Sequence, residues 1–135
     1  MTDTLKGDFD LISFKVKKGD QWLDLGYEGC LRYDGAGNMS AQGMRRDLPA
    51  LTANNQRKGP GGFAYWGTVT QFESEQRVEH HVTGCTSHPE WVGGIQERFY
   101  RFHENGDLDL MVRDETGQTT GILTWRRRSG TQSEL

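Results

Sequence analysis

The chain has 135 residues, nineteen of them Asp or Glu against sixteen Lys or Arg, for a formal charge of −3; that leaves room for one domain with one sizeable core. The basic residues are scattered apart from Arg126-Arg127-Arg128, which closes a strand pattern, so the charge gives no reason to expect nucleic acid as a partner. No apolar run approaches the roughly 18 residues that cross a bilayer, and the opening MTDTLKGDF has no apolar signal-peptide core, so no membrane partner and a cytoplasmic location are expected.

Eighteen glycines against three prolines and a mean hydropathy of −0.78 suit many short strands joined by tight turns. The first strand is predicted over Asp10 to Val16 and ends at the charged turn Lys17-Lys18-Gly19-Asp20. A short extended piece follows at Gln21 to Leu25. Gly26 to Asp34 and Asn38 to Arg45 then form a hairpin around Asp34-Gly35-Ala36-Gly37-Asn38, whose glycines and Asn can supply positive φ. If Tyr33 sits opposite Met39, then Leu31 faces Ala41 and Gly29 faces Gly43. That parity turns Leu31, Tyr33, Met39, Ala41 and, at the strand end, Arg45 inward.

Arg46 to Gly62 reads as one long irregular loop, of the kind that serves as a lid, a binding loop or a disordered excursion. Beyond it, Ala64 to Phe72, Arg77 to Thr83 and Ile95 to Phe102 read as consecutive antiparallel strands. In the second, Val78, His80 and Val82 share one face while Arg77, Glu79, His81 and Thr83 share the other, so His80 points inward with the valines. In the third, Glu97 and Arg101 suit water, which leaves Gln96, Arg98, Tyr100 and Phe102 opposite. Asp107 to Arg113 sets Leu108, Leu110 and Val112 against Asp109, Met111 and Arg113, and Thr120 to Arg127 is the last strand.

Nowhere do apolar residues recur at helical spacing beyond two turns. The prediction is therefore an all-β fold with little helix: about eight antiparallel strands over residues 4–128, closed as an up-and-down barrel because closure leaves no edge to protect. Residues 129–135 are expected to be a flexible polar tail. The two cysteines, Cys30 and Cys85, are expected to be free thiols.

Several stretches together resemble the lipocalin-like domain family of small bacterial and fungal proteins. Lys6 to Phe14 is similar to its opening, with Phe9 where the lipocalin Gly-x-Trp pattern has Trp. Gly29-Cys30-Leu31-Arg32-Tyr33 and Gly37 to Gln42 with Arg45 resemble its signature hairpin. Tyr65-Trp66-Gly67-Thr68, Val78 to Val82, Trp91-Val92-Gly93 and Leu123-Thr124-Trp125 continue the set. The resemblance implies a lipocalin-like calyx with a central ligand cavity, used in such families to bind small apolar molecules and in related barrels for cyclisation or isomerisation. The Gly-rich segment before Tyr65 departs from relatives that carry a short helix there.

With a cavity to face, His80 becomes a candidate general acid or base, or else a core histidine bonded to a neighbouring Tyr or a backbone carbonyl. Arg98 either grips a ligand oxygen or closes an ion pair across the barrel. Tyr65 completes the candidate catalytic set, and Tyr33, Met39, Arg45, Val78, Val82, Trp91, Tyr100 and Leu110 form the candidate ligand-binding set, with Trp91 either over the mouth or plugging the barrel end. No metal is expected, since His80 and His81 point oppositely and Cys85-Thr86-Ser87-His88 lacks partner ligands; no cofactor motif is present either. The functional expectation is a small-molecule binder, monomeric or homodimeric, for an apolar or aromatic, polyketide- or terpenoid-like ligand. Either a cofactor-free isomerase, cyclase or dehydratase or a non-catalytic carrier fits it.

Overall fold

The alternation of apolar and polar residues becomes nine strands in the computed structural model, which describes residues 1–2, 4–55 and 61–129. They are β1 (Gly7–Lys18), β2 (Gln21–Asp24), β3 (Tyr27–Tyr33), β4 (Asn38–Arg45), β5 (Gly62–Phe72), β6 (Arg77–Cys85), β7 (Ile95–Phe102), β8 (Leu108–Arg113) and β9 (Thr119–Arg127). All neighbours are antiparallel, and β1 pairs with β9, so eight strands close a barrel. The ninth, β2, pairs only with the end of β1, Lys15 to Lys18 against Asp24 to Gln21. The hairpin register is the predicted one, Tyr33 opposite Met39, Leu31 opposite Ala41 and Gly29 opposite Gly43.

Two bulges change inward parity along a strand. In β1 the register against β9 shifts between Leu11 and Ser13. Phe9 and Leu11 therefore point inward at one end, whereas Phe14 packs against the core at the other. In β5 and β6 the shift falls at Trp66/Gly67. Gly67 is required there because a Cβ would lie 1.8 Å from the His81 carbonyl oxygen.

The predicted loop after β4 is corrected: it carries a short helix, α1 (Leu48–Ala53), with Pro49 in its first turn. A proline is harmless at that position because its missing N–H would have no helical partner. Six residues are too few to show a periodicity, which is why the sequence reads as a loop. Residues 56–60 of that stretch lie outside the described residues, as does the tail expected over 129–135 from position 130 onward.

The antiparallel order fixes the two ends of the barrel. At one end Leu5, fully buried, precedes β1. The Arg127 guanidinium donates to the Thr4 and Lys6 carbonyls and lies 4.5 Å over the Phe9 ring. Across the same end the Thr2 amide donates to Gln71 Oε1, and Gln71 Nε2 donates to Tyr100 Oη. The other end holds α1, the 3-10 turn Pro89–Trp91, and the start of β3 with Tyr27. The arginine run has three separate anchors: besides Arg127, Arg126 grips Asp107 and Arg128 donates to Asp10. Cys30 and Cys85 are unbridged.

On the outer face of β8, Asp109 is buried beneath its neighbours, bonded to Arg101 Nη2 at 2.6 Å, His103 Nε2 at 2.9 Å and Thr124 Oγ1 at 2.7 Å. Desolvation pushes its carboxyl up, but the bonds from Thr124, Arg101 and His103 prevail and hold it below the ordinary value. A strand pattern that places Asp109 outward does not show that other outward side chains cover it.

Candidate functional site

A cavity of about 230 Å3 lies inside the barrel. Leu31, Ala41, Leu110 and Leu123 supply buried apolar wall, and Phe14, Tyr27, Phe63, Trp91 and Val112 line it from the end that holds α1. The aromatic rings are mutually braced: Phe14 meets Tyr27 edge-on at 5.2 Å, and Trp91 meets Tyr65 edge-on at 5.8 Å while stacking on His88 at 4.3 Å. Gly43 makes room for this wall, since a Cβ there would collide with the Phe63 ring at 2.7 Å.

His80 is inward, as its strand parity predicts, and is 1% exposed. Its Nε2 is 2.6 Å from Tyr33 Oη and its Nδ1 is 2.7 Å from Tyr65 Oη. Desolvation pushes the imidazole down to about 3, with the charge of Arg98 and then His81 adding to the effect. The ring is thus neutral, and a neutral imidazole donates from one nitrogen and accepts at the other. Burial also pushes the Tyr65 phenol up to about 12, against the opposing pull of Arg98, and the Tyr33 phenol well above its ordinary value.

We assign the protons from the network. If Nε2 carried the hydrogen, the Tyr33 hydroxyl would need another acceptor, and Tyr33 is fully buried with His80 as its hydrogen-bond partner among the described residues. A buried hydroxyl without a partner costs about 1–3 kcal/mol. The favoured arrangement has Tyr33 donating to Nε2 and Nδ1–H donating to Tyr65 Oη. Tyr65 then keeps its own hydroxyl hydrogen, and Tyr65 lines the cavity whereas Tyr33 does not.

Arg98 also lines the cavity and is half-buried. Its guanidinium donates to the Glu97 carbonyl at 2.8 Å and reaches Gln96 Oε1 at 3.4 Å. Among the described residues no carboxylate is within ion-pair distance of it, so the expected cross-barrel ion pair is absent there. Trp125 is 1% exposed, lines the cavity, and has an indole Nε1–H with no hydrogen-bond partner among the described residues.

The candidate catalytic residues His80, Arg98 and Tyr65 therefore lie together at one cavity. Of the candidate ligand-binding residues, Trp91 and Leu110 line it. Tyr33, Met39, Val78, Val82 and Tyr100 are buried in the core without lining it. Arg45 is a correction: it is exposed, held by Asp47 through bonds of 2.8 and 3.0 Å, because β4 ends there and the chain turns out into α1. Leu123 and Trp125 belong to the site and alternate inward along β9, a period legible in the sequence; Phe14 was hidden by the bulge in β1.

A second, larger and more open cleft of about 840 Å3 passes over β1, β3, β4 and β5, lined by Asp10, Cys30, Gln42, Ser87 and Arg128 among others. Its polar side chains are largely partnered, as in Arg128 to Asp10 at 2.9 Å and Gln42 Nε2 to Cys30 Sγ at 3.5 Å. The more enclosed cavity, with its buried polar cluster, is the better site by the ordinary anatomy of small-molecule pockets.

The closed eight-stranded antiparallel barrel is a lipocalin-like fold, and the sequence comparison agrees. The lipocalin-like domain family matches residues 7–128, so the chain belongs to that family. No curated protein matches it.

Proposed function

We propose that this lipocalin-like barrel binds a small, largely apolar or aromatic molecule in its central cavity, with Tyr65 and Arg98 fixing the ligand's orientation. The observation that carries the reading is a partly enclosed space with apolar and aromatic walls and one ordered polar cluster. At about 30 Å3 per water in the liquid, its volume corresponds to on the order of ten heavy atoms, a one- or two-ring molecule.

His80 has a supporting part in this reading. Both its ring nitrogens are engaged by phenols, and an imidazole held at about 3 has little tendency to take a proton from a ligand at neutral pH. It aims Tyr65 by fixing where the phenol oxygen accepts. A carrier or sequestering protein requires no more than this.

One observation favours a second reading. Tyr65 O–H and the Arg98 guanidinium are both donors at the cavity wall, the arrangement that stabilises charge developing on a carbonyl oxygen. A cofactor-free cyclisation or rearrangement that needs carbonyl polarisation and a restrained substrate, and no protein base, fits these groups better than an isomerisation or dehydration routed through His80.

Calorimetric titration with 1-ethylnaphthalene and 1-acetonaphthone tests the binding reading. Saturable one-to-one binding of at least one probe is expected, lost in Ala41→Phe, which fills the cavity from β4. Failure of both probes, or undiminished binding by Ala41→Phe, contradicts it.

A further inference from the structure

The buried polar groups of the cavity are of one kind. His80 offers no free nitrogen. Tyr65 accepts from His80 and has a hydroxyl hydrogen left to give. Arg98 can only donate. Trp125 lines the cavity, and its Nε1–H is a buried donor without a partner among the described residues. Tyr27 and His88, which could accept, are half-buried and lie toward the end that holds α1. An unpaired indole N–H in so buried a position costs stability unless something supplies an acceptor.

We infer that Trp125 is a ligand-anchoring residue, and that the cavity selects ligands bearing an acceptor oxygen: an aryl carbonyl compound or an aryl carboxylate, in preference to a hydrocarbon of the same shape. The inference rests on the binding reading above and specifies its ligand class. Trp125 Nε1–H donates to the ligand oxygen and, with Tyr65 and Arg98, makes the polar groups of the inner wall, away from Tyr27 and His88, donors. Selectivity then comes from two directions. An acceptor satisfies buried donors, and a hydrocarbon leaves them stranded.

The test uses the full-length protein and three probes of one ring system: 1-acetonaphthone, 1-ethylnaphthalene and 1-naphthoate. Affinities come from calorimetry, and the indole N–H signals from two-dimensional 1H–15N NMR, with the Trp125 signal identified among the four tryptophans by its loss in Trp125→Phe. The ketone is expected to bind at least about five-fold tighter than the hydrocarbon, the order of one net hydrogen bond, and to move the Trp125 N–H signal downfield. In Trp125→Phe the ratio is expected to fall by about five-fold, with Tyr65 and Arg98 left as donors, and an unchanged ratio overturns the inference. If that variant does not fold, the shift of the wild-type Trp125 signal decides the matter. Equal affinities with a stationary Trp125 signal overturn the inference and leave the binding reading standing; no binding by any of the three overturns both. Naphthoate identifies the acceptor: preference for it over the ketone, abolished by Arg98→Met, means a carboxylate, and the reverse order means a neutral carbonyl.

Discussion

Tyr65 Oη and His80 Nδ1 lie 2.7 Å apart, and with the proton assigned to Nδ1 that contact leaves Tyr65 its own hydroxyl hydrogen to give. Because Nδ1–H donates to Tyr65, the phenol's own hydrogen is released toward the ligand space. The second contact, Tyr33 Oη to Nε2 at 2.6 Å, fixes the tautomer.

Two adjacent histidines give an internal control. His80 is buried between two phenols, while the His81 side chain is 41% exposed with Glu79 at 3.5 Å. His80→Ala is expected to cost at least about 3 kcal/mol in urea unfolding, since it strands two buried hydroxyls and opens a void. His81→Ala should stay within about 0.5 kcal/mol of wild type.

The low proton affinity of His80 predicts a pH dependence of stability. Its folded value of about 3 is below the ordinary 6.5, so between those limits the unfolded chain binds a proton that the folded chain refuses. Stability is therefore complete above about pH 6.5 and falls as pH drops toward 3, by up to roughly 1.4 kcal/mol per unit. Wild type should lose about 2 kcal/mol more than His80→Gln between pH 7 and pH 5, compared by urea unfolding at both. Equal losses would mean that His80 takes up its proton in the folded state.

Asp109 is a structural anchor of the outer face. Replacing its carboxylate by an amide, Asp109→Asn, weakens the contacts to Arg101 and His103 in a buried setting and should cost about 2–4 kcal/mol in urea. Ligand affinity should be unchanged, because β8 directs Leu110 to the cavity and Asp109 away from it.

The barrel was legible in the sequence because alternation, turn glycines and strand count all agree with one closed sheet. Inward parity also turned His80 and Arg98 toward the interior, where both line the cavity. Parity does not report height along the barrel axis, so Tyr33, Met39, Val78 and Tyr100 read as cavity wall although they pack toward the end closed by Leu5. Phe14 was beyond reach because a bulge shifts the register of β1 midway. The partnership of His80 with two phenols could not be read either, because Tyr33, Tyr65 and His80 come from three strands and meet only when the barrel closes.

Arg45 separates strand parity from the true wall. Exposed and paired with Asp47, it should be replaceable: Arg45→Ala should leave ligand affinity unchanged and stability within about 0.5 kcal/mol in urea unfolding, as expected of an exposed ion pair.

The central claim is that a small molecule enters the barrel and rests against Tyr65. Chemical-shift mapping of the 15N,13C-labelled protein titrated with 1-acetonaphthone tests it most directly. The account predicts saturating shifts in Leu31, Ala41, Tyr65, Leu110 and Leu123, with Cys30, Gln42 and Met44 of the outer cleft unmoved. Shifts confined to Cys30, Gln42 and Met44, or none at saturating probe, would contradict it.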